Sequence, residues 1–155
     1  MPVERKTIEI RWRDLDGLGH VNNAVFLTYL EEARTVWVSR HLPEASDRFD
    51  YVLARCAIDY RSQVTLEDGQ VEVEIDLLRV GRTSVTLAER IHAGPARRLA
   101  AESEAVIVRY DWEAGTPCPI EAAIASSLAA STVETPSQAP SAAESGESPS
   151  ARPSA

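Results

Sequence analysis

The residues of this chain able to do chemistry are concentrated in one run, RWRDLDGLGHVNN, from Arg11 to Asn23. It holds two carboxylates (Asp14 and Asp16), the glycines Gly17 and Gly19, His20, and the paired amides Asn22 and Asn23. An aspartate has an unperturbed pKa of about 3.9, so Asp16 is expected to be ionised at neutral pH unless buried. As a carboxylate it could attack a carbonyl or take a proton from water. No serine or cysteine stands beside it as a competing nucleophile. The run leads directly into a helix-like segment. A helix N-terminus offers unpaired N–H groups and partial positive charge, the equipment that stabilises a developing oxyanion. A carboxylate beside such donors fits acyl transfer.

Other readings of the run can be tested on its spacing. A calcium loop starting at Asp14 would place Leu18 at the fifth position and Val25 where a bidentate Glu belongs, so it fails. A phosphate-binding glycine loop has Gly17 and Gly19 but Asn22 at the third glycine position, and no βαβ context follows. A zinc site would draw on His20, His41, His92, Cys56 and Cys118, none of which fall at ligand spacings; no metal and no cofactor is expected. The strongest plain alternative is a strand-to-helix turn whose Asp and Asn side chains bond nearby backbone and whose glycines take positive φ.

The elements around the run follow from hydrophobic period. Lys6, Ile8, Ile10 and Trp12 alternate with Thr7, Glu9, Arg11 and Arg13, as in a half-buried strand. Phe26, Tyr29, Leu30, Ala33, Val36 and Trp37 recur at helical spacing, with Asn22 or Asn23 as N-cap and Pro43 just past the end. Strands are expected at Tyr51 to Tyr60, with imperfect alternation, at Val71 to Leu77, at Thr83 to Ile91 and at Leu99 to Tyr110. Links this short cannot make parallel crossovers, which need about a dozen residues or more. The expected fold is α+β, an antiparallel sheet against one long helix.

The whole chain bounds the function. Its 155 residues fit one domain, expected over residues 1–120, with a possible short helix at 121–130. Residues 131–155 carry seven Ser, five Ala and four Pro, and Val133 is their only bulky apolar side chain, so a disordered tail is expected. Sixteen basic against 24 acidic residues argue against nucleic acid as partner. No apolar run approaches the roughly 18 residues that span a membrane, and the N-terminus lacks a signal-peptide core. No membrane insertion and a cytoplasmic location are expected, with Cys56 and Cys118 as ordinary thiols.

The segment RWRDLDGLGHVNNAVFLTYLEEAR resembles the opening signature of the hotdog-fold acyl-CoA thioesterases of the 4-hydroxybenzoyl-CoA thioesterase type. Likeness extends to VGRTS, Val80 to Ser84, and to Asp111 to Ile120. The resemblance implies a hotdog fold, a helix wrapped by an antiparallel sheet, in dimers or tetramers with active sites at the subunit interface. It implies Asp16 as catalytic carboxylate and the Asn23 backbone N–H as oxyanion donor. It also implies a catalytic or substrate-contacting role for His20, and Gly19 and Asn22 beside the thioester. Arg82 and Ser84 are candidates for the phosphates of coenzyme A, ahead of Arg79, Arg90, Arg97 and Arg98. Glu31, Glu32 and Arg34 are expected to pair on the helix surface, and Trp12, Phe26, Tyr29 and Trp37 to pack the core or line an acyl pocket.

The expected activity is hydrolysis of an acyl-CoA, or of an acyl group on acyl carrier protein, to a carboxylic acid and free thiol. The alternatives are a hotdog enoyl-thioester hydratase, although the Asp16 to His20 spacing is one residue short for it and its Asn-Pro is missing, and a non-catalytic hotdog dimer that binds acyl-CoA.

Overall fold

The computed structural model of the protein describes residues 3–42 and 50–130. Pro43 and the Ser/Ala/Pro-rich segment 131–155 lie outside the described residues. The elements run β1 (Glu4–Glu9), α1 (Asn23–His41), β2 (Tyr51–Tyr60), β3 (Gln70–Val80), β4 (Ser84–Ala93), β5 (Arg98–Asp111), β6 (Thr116–Pro117) and α2 (Ala122–Ala129). All strand pairs are antiparallel, in the order β1-β3-β4-β5-β2, with β6 paired to the end of β5. One long helix on one antiparallel sheet is the α+β arrangement expected from the order of periods, and the hotdog fold that the resemblance implies.

The core forms where two periods meet. Alternate residues of β3 as far as Ile75 and of β4, including Val71, Val73, Ile75, Val85, Leu87 and Ile91, are buried on the face that receives α1. From the helix come Phe26, Tyr29, Leu30, Ala33, Trp37 and Val38, the i, i+3, i+4 stripe. Each large apolar side chain so buried contributes about 1.5–3 kcal/mol. Ile124 and Leu128 of α2 extend this core. No helix among the described residues is long and apolar enough to cross a membrane.

Two local departures from the simple periods have physical causes. The first strand stops at Glu9, and Trp12–Asp14 form a 3₁₀ turn that leaves Trp12 80 % exposed. Asp14 accepts the Arg11 backbone N–H at 2.9 Å, giving that backbone a partner outside the ladder. In β2 the pairing with β5 shifts between Leu53 and Arg55. A bulge of this kind swaps which residues face inward: Tyr51 is buried before it, Cys56 and Ile58 face the core after it. This is why the alternation of β2 reads poorly in sequence.

Strand β2 lies at one end of the sheet and, among the described residues, pairs only with β5. Among those residues its other edge has no partner strand over ten residues, with Leu53 and Tyr60 exposed along it. Long unguarded edges are surfaces on which another strand can add.

Candidate active site

The turn between β1 and α1 is built around two aspartates with different surroundings. Asp14 is buried and accepts from the Arg11 N–H, the Arg11 guanidinium and the Tyr29 hydroxyl, the last at 2.8 Å. Burial alone would push its carboxyl up. The bonds from Arg11 and Tyr29 outweigh burial and hold the pKa below the ordinary 3.8. Tyr29 is pushed well above the usual phenol range, by burial first and then by Asp14. The backbone carbonyl of Asp14 also accepts the Asn22 N–H at 2.9 Å, which closes the turn onto the helix start.

Asp16 is only half-buried and is held differently. One carboxylate oxygen, Oδ1, accepts the N–H groups of Leu18 at 2.8 Å and His20 at 3.2 Å. Asp16 N–H donates to the His20 carbonyl at 2.7 Å, so both ends of the loop are tied together. Among the described residues the second oxygen, Oδ2, has no protein partner. The side chain is thus oriented by backbone while half of its accepting capacity stays open.

Gly19 takes φ +78°, the left-handed region that favours glycine. A Cβ there would meet no atom within 4 Å, so glycine is required by conformation and not by close approach. Leu18, at the loop tip, is 80 % exposed. His20 bridges Thr65 through the backbone.

Helix α1 begins at Asn23, and the Asn22 side chain caps it by accepting the Ala24 N–H at 2.9 Å. The Asn22 amide is therefore engaged as a cap. The Asn23 carbonyl accepts the Tyr60 hydroxyl at 3.1 Å. Its N–H donates to no protein group among the described residues, leaving an open donor at the positive end of the helix.

These groups share a cleft of about 410 Å³ lined by Asp16, His20, Asn23, Phe26, Tyr60 and Arg61, among others. Of the four aromatic residues considered for an acyl pocket, Phe26 alone lines it. Trp12 points into solvent, Tyr29 is bound to Asp14, and Trp37 is core. The contribution from the end of β2, Tyr60 and the following Arg61, is the part the sequence did not reveal. Nothing in its local pattern marks it, because the register of β2 against α1 is set by tertiary packing. Arg61 is held at the cleft by Glu102 at 2.9 Å.

The arginines divide into paired and open. Arg90 is taken up by Asp76, Arg98 by Asp68, and Arg97 by Glu72 and Glu74. Among the described residues Arg79 and Arg82 have no ion-pair partner. Arg82 and Ser84 do not meet Asp16 within one chain. Ser84 pairs with Val108, and Val108 with Val52, at the Tyr51 end of β2. Asp16 lies at the Tyr60 end, a strand of ten residues away, about 30 Å at ~3.3 Å per residue.

Arg34 corrects an expectation. It does not pair along the helix surface with Glu31. It lies 7 % exposed and makes a two-point ion pair with Glu89 on β4, Nε at 2.8 Å and Nη2 at 3.2 Å. Glu89 occupies an otherwise apolar inward position of that strand, where it is fully buried.

Residues 10–128 match the thioesterase-like superfamily, which covers the turn, α1, strands β2 to β6 and most of α2. The chain belongs to the thioesterase-like superfamily. Solved structures agree with this. A thioesterase from Thermus thermophilus, crystallised with coenzyme A and zinc, is 36 % identical, with a TM-score of 0.70 over 79 % of this chain and 94 % of that one. A protein described as a predicted thioesterase from Bacillus stearothermophilus is 28 % identical, with a TM-score of 0.75 over 86 % and 98 %. The 1,4-dihydroxy-2-naphthoyl-CoA thioesterase of Synechocystis, at 18 % identity and a TM-score of 0.67 over 77 % and 90 %, shares the fold. No curated protein sequence matches the chain.

This superfamily member is accordingly an enzyme of the thioester hydrolase class. Its hotdog frame, not the loop alone, positions the cleft: β2 supplies one wall, the capped start of α1 another, and the Asp16 loop the third.

Proposed function

We propose that this thioesterase hydrolyses an acyl thioester of coenzyme A, with Asp16 as general base and the Asn23 N–H as oxyanion donor. The observation that carries the reading is the pairing of two open groups in one cleft: the unpartnered Oδ2 of a backbone-tethered carboxylate, and the unpartnered N–H of a capped helix start. The substrate carbonyl oxygen accepts from Asn23 N–H, which polarises the carbonyl carbon. Asp16 Oδ2 takes a proton from a water as its oxygen bonds to that carbon. The tetrahedral intermediate then expels the thiolate, which takes up the proton, leaving carboxylic acid and free thiol. His20, half-buried in the same cleft, positions water or substrate.

The active unit in this reading is a homodimer joined through the open edges of β2. Antiparallel pairing about a two-fold axis, with full overlap, sets Tyr51 of one copy opposite Tyr60 of the other. The Asp16 cleft of one chain then lies beside the Arg82 and Ser84 end of its partner. This adds an arginine with no ion-pair partner among the described residues to a cleft whose own Arg61 is taken up by Glu102, and so a cation for the phosphates of coenzyme A. The related Thermus structure, which holds coenzyme A, supports that class of substrate.

Thiol release from short, long and aromatic acyl-CoAs tests the reading. Hydrolysis of at least one class, slowed about 10²- to 10⁴-fold by Asp16→Asn, is expected. A folded protein that releases thiol from none contradicts it.

A further inference from the structure

A second, smaller pocket of about 130 Å³ opens under the C-terminal half of α1, walled by Glu31, Arg34, Thr35, Val38, Tyr51 and Leu53. The Asp16 cleft does not include it. Tyr51 is 8 % exposed, and its hydroxyl is buried with no hydrogen-bond partner among the described residues. Buried hydroxyls are as a rule hydrogen-bonded, so such a group points to a missing partner. Burial, the largest influence on it, pushes the phenol up, so it stays a neutral donor. Arg34 engages Glu89 through Nε and Nη2, and Nη1 carries neither of those bonds.

We infer that this pocket receives the distal end of the acyl group bound at the partner's Asp16 cleft, and that Tyr51 selects acyl groups bearing a neutral oxygen there, a hydroxyl or a keto group. This rests on the thioesterase dimer proposed above, because β2 pairing about the two-fold sets the Tyr51 end against the partner's Tyr60 end. The volume holds a few non-hydrogen atoms, an acyl terminus and not a whole coenzyme.

Charge decides between a neutral oxygen and a carboxylate. Arg34 is already balanced by Glu89, and Glu31 adds a further acid to the wall. A carboxylate would therefore enter a pocket whose formal charge is already negative. A neutral oxygen gains the Tyr51 hydroxyl and Arg34 Nη1, which has no partner among the described residues, without that repulsion.

The test uses non-hydrolysable thioether analogues of acyl-CoA, matched in length, ending in methyl, hydroxyl, keto or carboxylate. Binding to the full chain and to Tyr51→Phe is measured by calorimetry. The wild type is expected to bind the hydroxyl or keto analogue about 3- to 10-fold more tightly than the methyl one, the worth of one neutral hydrogen bond. Tyr51→Phe erases that preference. A wild type with no preference, a preference for carboxylate, or a preference that survives in Tyr51→Phe overturns the inference. Thiol release from the matching thioesters is followed in parallel. Its absence throughout would remove the thioesterase reading, while the binding preference still decides the role of Tyr51.

Discussion

The Tyr29 hydroxyl donates a 2.8 Å hydrogen bond to Asp14 across the turn between β1 and α1, and both groups are buried. That bond fastens the second turn of the helix to the loop that carries Asp16. Tyr29→Phe removes it while keeping the ring. A hydrogen bond to a charged group contributes about 1.5–3 kcal/mol, and a loss of that order is expected in urea denaturation. Activity should fall less than with any change at Asp16, since Tyr29 acts on the loop and not on substrate.

Acid should unfold the protein partly through Asp14 and Asp68. Asp68 is held low chiefly by its bond from Arg98, and Asp14 by the bonds from Arg11 and Tyr29 that overcome burial. Folded values below the ordinary 3.8 mean that this stability is complete above that pH and is lost as pH falls through the folded values. Urea melts from pH 7 downward should show little contribution from these groups until about pH 4 and a decline below it. Asp68→Asn should make the acid decline shallower.

The Arg34–Glu89 pair should behave as a unit. Arg34→Met alone strands a buried carboxylate and is expected to cost about 3–5 kcal/mol. Combining it with Glu89→Leu should recover most of that loss, because two apolar side chains suit the surrounding core. Equal and additive losses in the two single variants and their double would show that the pair is not coupled.

The dimer proposed above shares its site between chains, and such sharing predicts complementation. Asp16→Asn protein should be nearly inactive, and Arg82→Ala protein should show raised KM for acyl-CoA. Subunit exchange between them creates one site with both residues intact. Activity at low substrate should then exceed the average of the parents. Activity equal to that average would place Arg82 outside the partner's site.

The sequence carried the frame of this protein further than it carried the site. The stripe from Phe26 to Trp37 and the alternation from Val71 to Leu77 are local periods, so α1 and β3 were legible without tertiary information. Trp12 misled because the alternation ran on while Asp14 had already captured the backbone N–H of Arg11. Tyr60, Arg61 and Tyr51 were invisible as site residues. Their positions depend on the bulge in β2 and on its place beside α1, and neither leaves a mark at short range. Arg34 was read from its neighbours on the helix, whereas its partner stands 55 residues away.

The central claim is that the open oxygen of Asp16 drives thioester hydrolysis. Thiol release by Asp16→Asn, in a variant shown by thermal melting to be folded, tests it most directly. The loop bonds to Oδ1 are retained by the amide oxygen, so the fold should be kept while kcat falls about 10²- to 10⁴-fold, the scale of a lost general base. That is about 3–5 kcal/mol of barrier. Turnover equal to wild type in the folded Asp16→Asn protein would contradict the account.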